Sequence, residues 1–211
     1  MRLATITFVL ALAACGARVP ETRFYQLAEP GAKTEAGDGP GLVIEALDTD
    51  SAYDDDRIVY RVTPYRLDYY NYHRWSAPPG TMIANYLERA FEHSGRFGAV
   101  TREPTAGAPV ALGGRVVAIE EVDRTKTRWL GRVVIELTLT DTETGAVLWS
   151  EQFEETEPLA AQSPEGLARA LSSALERIAN RAIPIVSILA DETAHAHATA
   201  KPASREARLH R

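Results

Sequence analysis

Apolar and polar residues alternate over several segments of the chain, and this period of two predicts β-strands. The clearest alternation lies around position 60, and Pro64 interrupts it before a second segment that we expect to be its hairpin partner. Thr144 and Gly145 are typical of a tight turn between two further strands. The predicted strands are Phe24–Leu27, Leu42–Leu47, Arg57–Val62, Tyr65–Trp75, Val110–Arg124, Arg132–Thr142 and Val147–Phe153.

Two other segments repeat apolar residues with the 3.6-residue period of an α-helix. The first begins at Pro78–Thr81, and Gly95 is expected to end it. Its apolar stripe consists of Ile83, Tyr86, Leu87, Ala90 and Phe91. The second begins at Ser163–Glu165, where an N-cap residue, a first-turn proline and an early acid coincide. It extends towards Leu189, with an interruption or kink expected at Pro184.

The order of these elements predicts a single α+β domain, a mostly antiparallel β-sheet with two main helices packed on one face. We expect the domain to occupy residues 23–190, which is long enough for one hydrophobic core. Residues 29–41 contain four glycines and two prolines and indicate a loop inside it. Residues 191–211 have no apolar period and are rich in Ala, His, Arg, Glu and Thr, so a disordered C-terminal tail is expected.

The N-terminus is typical of a bacterial signal peptide, because Arg2 is followed by a short apolar run that ends near residue 14. The run is shorter than the roughly 20 residues of a membrane-spanning helix. Its last residues, Leu12, Ala13 and Ala14, precede Cys15 and resemble the lipobox of bacterial lipoproteins. The resemblance implies cleavage after residue 14, acylation of Cys15 with fatty acids such as palmitate, and a lipidated tether over residues 15–22. Several acyl chains on one residue give stable membrane anchoring.

Cys15 is the only cysteine in the chain, so an internal disulfide is excluded. The alternative is a cleaved secretory signal that happens to include a buried cysteine. Gly16 follows Cys15, whereas an Asp at this position of lipoproteins resembles an inner-membrane retention signal. The resemblance therefore implies an outer-membrane location with the domain on the periplasmic face, in preference to the inner membrane.

Charge and sequence motifs exclude several functions. The chain has 23 basic and 29 acidic residues, net −6, and loss of Arg2 with the signal peptide leaves 22 against 29, net −7. A mildly acidic chain without a basic tract is not expected to bind nucleic acid. The sequence contains no Gly-x-Ser-x-Gly, P-loop, dinucleotide-binding or His-Glu-x-x-His motif. We therefore expect no enzymatic activity and no cofactor.

Two groups of possible metal ligands are weak candidates. Residues 48–56 contain five aspartates, but Tyr53 and Val59 stand where a calcium-binding loop requires Gly and an acid. We expect this loop to be solvated and free of metal. His195 and His197 supply only two ligands in the predicted tail, which is too few for a site.

The segment Tyr65–Trp75 is unusually aromatic, with four tyrosines and one tryptophan. In a regular strand Tyr70 and Tyr72 share one face, and Tyr65 and Tyr69 share the other. Core packing alone is one interpretation. The other is core packing on one face and a protein interface on the second, because amphipathic aromatics are favoured at interfaces. The candidate partner-binding residues are Tyr69, Tyr70, Tyr72, Arg74 and Trp75.

Several short motifs that follow the lipobox resemble, in their order, the ABC-type transport auxiliary lipoproteins. These are lipoprotein partners of MCE (mammalian cell entry) transport systems, including the paraquat-inducible type. The motifs are Phe24–Leu27, Asp56–Arg61, Pro64–Leu67, Tyr72–Trp75 with Pro78–Pro79, Ser94–Phe97 and Gly145–Trp149. The resemblance covers roughly residues 15–190, and the segment beyond Leu189 lies outside it.

The resemblance implies a non-enzymatic component of an envelope transport system that moves lipids or other apolar compounds across the periplasm. Its implied partners are an ABC permease, a cytoplasmic ATPase and an MCE-domain protein, and a second copy of the chain is a further candidate. Two alternatives remain open: a structural or assembly lipoprotein of the envelope unrelated to transport, and a lipid-anchored hydrolase.

Overall fold

An eight-stranded β-sheet and two helices form the described part of the molecule. The structure is a computed structural model that describes residues 20–32, 34–35, 37–103 and 107–209, with side chains described up to residue 200. The strands are β1 (Arg23–Tyr25), β2 (Gly41–Thr49), β3 (Arg57–Thr63), β4 (Arg66–Trp75), β5 (Ala99–Thr101), β6 (Val110–Thr125), β7 (Arg128–Asp141) and β8 (Val147–Pro158). The helices are α1 (Pro79–His93) and α2 (Pro164–Leu209).

Strand β6 organises the sheet because it has three strand neighbours. One of its edges pairs with β7 along nearly the whole strand, and β8 pairs with β7 in turn. The other edge pairs first with β2, from Val110 to Val116, and then with β3, where Arg61 lies beside Val122. Strand β5 lies beyond β2, while β4 and then β1 lie beyond β3.

The α+β class and the single sheet are confirmed, and the predicted strands are present. The long pairings β3–β4, β6–β7 and β7–β8 are antiparallel. Within the described residues four shorter pairings are parallel: β1–β4, β2–β5, β2–β6 and β3–β6. The alternation of side chains predicted strand positions, but strand directions depend on the connections between strands.

Both helices bury the apolar stripes that the sequence predicted. Ile83, Leu87 and Phe91 of α1 are fully buried, as are Leu171 and Leu175 of α2. Helix α1 packs mainly on β2, and α2 packs on β7 and β8. Burying each of these side chains contributes about 1.5–3 kcal/mol to folding. Within the described chain, neither helix is long and apolar enough to cross a membrane.

Helix α2 is longer than the sequence pattern predicted. It continues without interruption across Pro184 and past Asp191 to Leu209, whereas the sequence pattern predicts an interruption or kink at Pro184 and a disordered tail from residue 191. Alanines at every second position from 194 to 200 have high helix propensity, so the helix continues without a full apolar stripe. Thr193 is buried, and His197 Nε2 lies 3.0 Å from Asp141 Oδ2 at the end of β7.

Candidate functional site

The aromatic residues of β4 occupy three different environments. Trp75 is 1% exposed and lies in the core. Tyr69 and Tyr70 are half-buried, and Tyr72 is 38% exposed. Arg74 forms an ion pair with Asp56 at the end of the acidic loop. The structure therefore separates the candidate partner-binding residues: Trp75 supports the core, and Tyr72 is the aromatic residue of this set with an exposed side chain.

Tyr69 faces away from the helices and is held by the β2–β3 loop. Its hydroxyl donates a hydrogen bond to the Ala52 carbonyl at 3.2 Å, and the Arg57 guanidinium lies 4.2 Å from its ring centroid. A cation over an aromatic face is attracted by the ring quadrupole. These contacts account for Tyr69 without a partner protein.

Tyr70 faces the helix side of the sheet and binds a buried carboxylate. Its hydroxyl donates to Glu121 Oε1 at 3.0 Å, and its ring packs 5.1 Å from that of Tyr60. Glu121 lies opposite Gly131 of β7, and paired residues of neighbouring strands point to the same face. A Cβ atom added to Gly131 would lie 3.2 Å from Ala170 Cβ of α2. Glu121 is therefore on the helix-covered face, and it is only 1% exposed.

Glu121 shares its environment with a second acid, Asp123. Burial raises the pKa of Glu121 to about 7, and hydrogen bonding from Tyr70 opposes this rise while Asp123 reinforces it. Burial also raises the pKa of Asp123. Glu121 Oε2 and Asp123 Oδ1 are buried and have no hydrogen-bond partner among the described residues. Burial disfavours the ionised form of each carboxyl group, in agreement with both raised pKa values.

Glu120 points to the opposite face and is fully satisfied. Its carboxylate is 0% exposed and accepts hydrogen bonds from Tyr53 Oη at 2.7 Å, Arg61 Nε at 3.0 Å and Arg132 Nη1 at 2.9 Å. Burial, followed by the contact with Glu120, raises the pKa of Tyr53 to about 12. Arg132 also binds Glu154 at 2.7 Å. This cluster joins β3, β6, β7 and the β2–β3 loop, which indicates a structural role.

Two shallow cavities lie beside these carboxylates, one on each face. The larger, of about 560 Å³, lies along the ends of β3 and β6 and includes Arg61, Glu120 and Arg132 in its wall. The smaller, of about 310 Å³, lies over Glu121, and its wall consists of Tyr60, Tyr69, Tyr70, Asn71, Glu121, Asp123 and Trp129. The wall of the smaller cavity therefore combines two carboxyl groups with four aromatic rings and one amide.

The acidic β2–β3 loop binds arginines. Asp50 lies 3.2 Å from Arg115, and Asp55 lies 2.9 Å from Arg57. Hydrogen bonding from Arg57 lowers the pKa of Asp55 to about 2. In the described ranges of the chain, no group of three or more His, Cys, Asp or Glu side chains is arranged to hold a metal ion.

The sequence analysis did not identify Glu120 and Glu121. The signal that could have found them is the adjacent pair of acids inside an otherwise apolar run, Val116–Val122. Adjacent residues of a strand face opposite sides, so such a pair requires polar partners on both faces. The lipobox residues Leu12, Ala13, Ala14 and Cys15 lie outside the described residues.

Fold and site together define a mixed α/β domain whose buried polar clusters join strands of the sheet. The chain belongs to the family of the ABC-type transport auxiliary lipoprotein component, which it matches over residues 25–182. This match begins ten residues after Cys15 and ends within α2. No curated protein matches the chain.

Two solved structures share the fold. The crystal structure of protein XCC0632 from Xanthomonas campestris superimposes with a TM-score of 0.71 at 20% identity, covering 82% of this chain and 99% of that one. A crystal structure of an uncharacterized protein gives a TM-score of 0.67 at 13% identity, covering 79% and 99%. At these identities the likeness concerns the fold alone.

Proposed function

We propose that the protein is a non-enzymatic lipoprotein of the outer membrane that serves an ABC/MCE-type envelope transport system. In this role it carries acyl chains on Cys15 and holds the outer-membrane end of a path for lipids or other apolar compounds. The observation that carries the proposal is the family match over residues 25–182, preceded in the sequence by a lipobox.

The buried polar clusters support a structural role rather than catalysis. Glu120 is saturated by three donors, and Glu121 accepts a hydrogen bond from Tyr70. Perturbed pKa values are common at catalytic sites, but structural networks perturb them as well. An activity screen with ester and phosphoester substrates tests this point, and turnover that depends on Glu121 would contradict it.

The outer edge of β4 is the surface we propose for a protein partner. Strand β1 pairs only with His73–Trp75, and no other described strand pairs with Arg66–Tyr72 on that edge. An open edge can accept a strand from another chain, with pockets for alternate side chains giving specificity. Tyr72 lies on this segment, beside the half-buried Tyr69 and Tyr70. The MCE-domain protein is the proposed occupant, and a second copy of this chain is the alternative outcome.

Co-purification from native membranes tests the transport role. A tagged copy of the full chain, expressed in its own host, is expected to retain the MCE-domain protein, the permease and the ATPase after in-cell crosslinking. A tagged lipoprotein of another family serves as the control. Recovery of envelope assembly proteins without any transport component would instead support a structural lipoprotein.

Membrane fractionation tests the location separately. Because Gly16 follows Cys15, we expect the protein in the outer-membrane fraction of a density gradient. A Gly16→Asp variant is expected to move towards the inner membrane. Wild-type protein in the inner-membrane fraction would contradict the proposed location while leaving the transport role intact.

A further inference from the structure

Two hairpin turns lie together at one end of the sheet, which we call the hairpin end. The β3–β4 turn spans Thr63–Arg66, and the β6–β7 turn spans Thr125–Arg128. Strands β3 and β6 are parallel, with Arg61 beside Val122, so both strands finish at the same end. Strand β8 also ends there, because Pro158 pairs with Leu130. The β7–β8 turn lies at the opposite end.

The hairpin end carries positive charge that the described residues do not neutralise. Three exposed cations at alternate positions make no ion pair with any described residue: Arg124, Lys126 and Arg128. Asp123 lies beside them but is turned towards Glu121. The other acids nearby already pair with arginines: Glu154 with Arg132, Glu157 with Arg177, and Asp68 with Arg66. A positive patch therefore stands on a chain whose net charge is −6.

Exposed apolar surface adjoins this charge. Tyr65 is 97% exposed at the tip of the β3–β4 turn, and Val62 is 37% exposed beside it. Only the backbone N–H of Tyr65 makes a described hydrogen bond, to Thr63 Oγ1 at 3.3 Å. An aromatic ring with a polar tip, surrounded by Arg and Lys, is favoured at the boundary between lipid headgroups and acyl chains.

Strand β1 has its N-terminal end towards the hairpin end. It runs parallel to β4, with Arg23 beside His73, so Arg23 is the residue of β1 nearest the start of β4. Strand β3 measures the distance to the hairpin end, because Arg57 pairs with Arg74 and Thr63 pairs with Arg66 at the turn. The six residue steps from Arg57 to Thr63 span about 20 Å. The eight residue steps from Cys15 to Arg23 reach at most roughly 26–29 Å. A lipid on Cys15 can therefore lie level with the hairpin end.

We propose that the hairpin end rests on a membrane surface containing anionic phospholipid, with the three unpaired cations at the headgroup phosphates and Tyr65 at the interface. The proposal rests on lipidation of Cys15, and it adds an orientation to the anchor. The end of α1 and the C-terminal part of α2 lie at the opposite end of the sheet. They consequently face the periplasm, where transport partners can reach them.

Site-specific labelling tests this orientation on the full lipidated protein in vesicles. Cys15 is the only native cysteine and its thiol is acylated, so an introduced cysteine is the only free thiol. An environment-sensitive dye is placed at Tyr65→Cys and, as the matched control, at Val147→Cys, an apolar residue 62% exposed at the start of β8. Vesicles contain phosphatidylcholine with or without phosphatidylglycerol.

We expect the dye at position 65 to shift to the blue and to be quenched by nitroxide-labelled lipid, and the dye at 147 to show neither effect. High salt is expected to weaken the signal at position 65 about threefold or more, because it screens the attraction between surface charges and anionic lipid. The same loss is expected when the cations are reversed in the combined variant Arg124→Glu, Lys126→Glu and Arg128→Glu. Arg96→Glu, an exposed charge at the opposite end, is the control and should leave the signal unchanged.

Equal signals at positions 65 and 147 would overturn the proposal, as would a signal at 65 that ignores both salt and phosphatidylglycerol. Protection of position 65 only after a protein partner is added would show that the surface binds protein, which also overturns it. Intact mass of the same sample reports acylation of Cys15. A failed anchor is thus recorded separately from a hairpin end that does not meet the membrane.

Discussion

A single carboxylate, Glu120, holds together four parts of the sheet. We expect Glu120→Gln to lower the free energy of unfolding by about 2–3 kcal/mol, because Arg61 and Arg132 lose their shared partner while remaining largely buried. Denaturant unfolding measures the change. Glu154→Gln is the matched control, since Glu154 binds the same Arg132 from an exposed position and should cost less than about 1 kcal/mol. Equal losses in the two variants would contradict a central role for Glu120.

Glu121, the next residue, gives the protein a pH dependence of defined sign. Burial raises its folded-state pKa from the ordinary value of 4.5 to about 7, so the folded state binds more protons between these values. The stabilising effect of its proton is full below about pH 4.5 and is lost as pH rises through about 7. As the pH rises from 4.5 to 7.5, we expect the free energy of unfolding of wild type to fall by on the order of 2–3 kcal/mol relative to that of Glu121→Gln.

Unfolding free energies at several pH values test this prediction. Glu151→Gln, an exposed acid on β8, is the control and should not change the pH profile. Because Glu121 and Asp123 titrate as a pair, the combined variant with Asp123→Asn is expected to flatten the profile further. Parallel profiles for wild type and Glu121→Gln would show that the carboxyl group is not protonated in the folded state.

At the scale of the element, β4 combines a core residue and an exposed one three positions apart. Trp75→Ala is expected to cost about 3–5 kcal/mol, since the ring is fully buried. Tyr72→Ala should change stability by less than about 1 kcal/mol but reduce recovery of the MCE-domain partner, because interface energy concentrates in a few aromatic residues. Thermal unfolding and co-purification are measured on each variant. If only destabilised variants lose the partner, β4 serves the core and the docking surface lies elsewhere.

Helix α2 allows its C-terminal part to be tested in two steps. A chain ending at Ala200 should keep its stability within about 0.5 kcal/mol, as surface changes usually do. A chain ending at Ala190 removes buried Thr193 and the contact of His197 with Asp141, and should lose about 1–2 kcal/mol. Both are measured by thermal unfolding. Equal stability of the two chains would show that residues 191–200 do not contribute, as a disordered tail predicts.

At the scale of the whole molecule, the anchor depends on one residue. Intact-mass analysis of membrane-extracted protein should show loss of residues 1–14 and the added mass of acyl chains on Cys15. Cys15→Ser is expected to abolish cleavage and acylation, because both require the thiol. Gly16→Ala, which keeps the thiol, is the matched control for processing. Acyl mass on the Cys15→Ser protein would contradict the proposed lipidation.

The sequence by itself determined the positions of most elements. The sequence pattern located six longer strands or parts of them and part of the short β1, and the stripe from Ile83 to Phe91 located α1. Strand β5 was missed because its three residues show neither a period nor an aromatic pair such as Phe24 and Tyr25 in β1, and the end of α2 was missed because a helix rich in alanine needs no apolar stripe. The lipobox prediction rests on local sequence alone, since a peptidase and an acyltransferase act on neighbouring residues.

Only the tertiary structure decided which faces and edges are free. Periodicity shows that residues share a face, but not which strands lie beside it, so the three neighbours of β6 and the parallel pairings were not predicted. Tyr53, Arg61 and Arg132 reach Glu120 from segments far apart in the chain. The same long-range packing buries Trp75 and leaves Tyr72 and Tyr65 exposed, because burial depends on what the fold places against each side chain rather than on its neighbours in sequence.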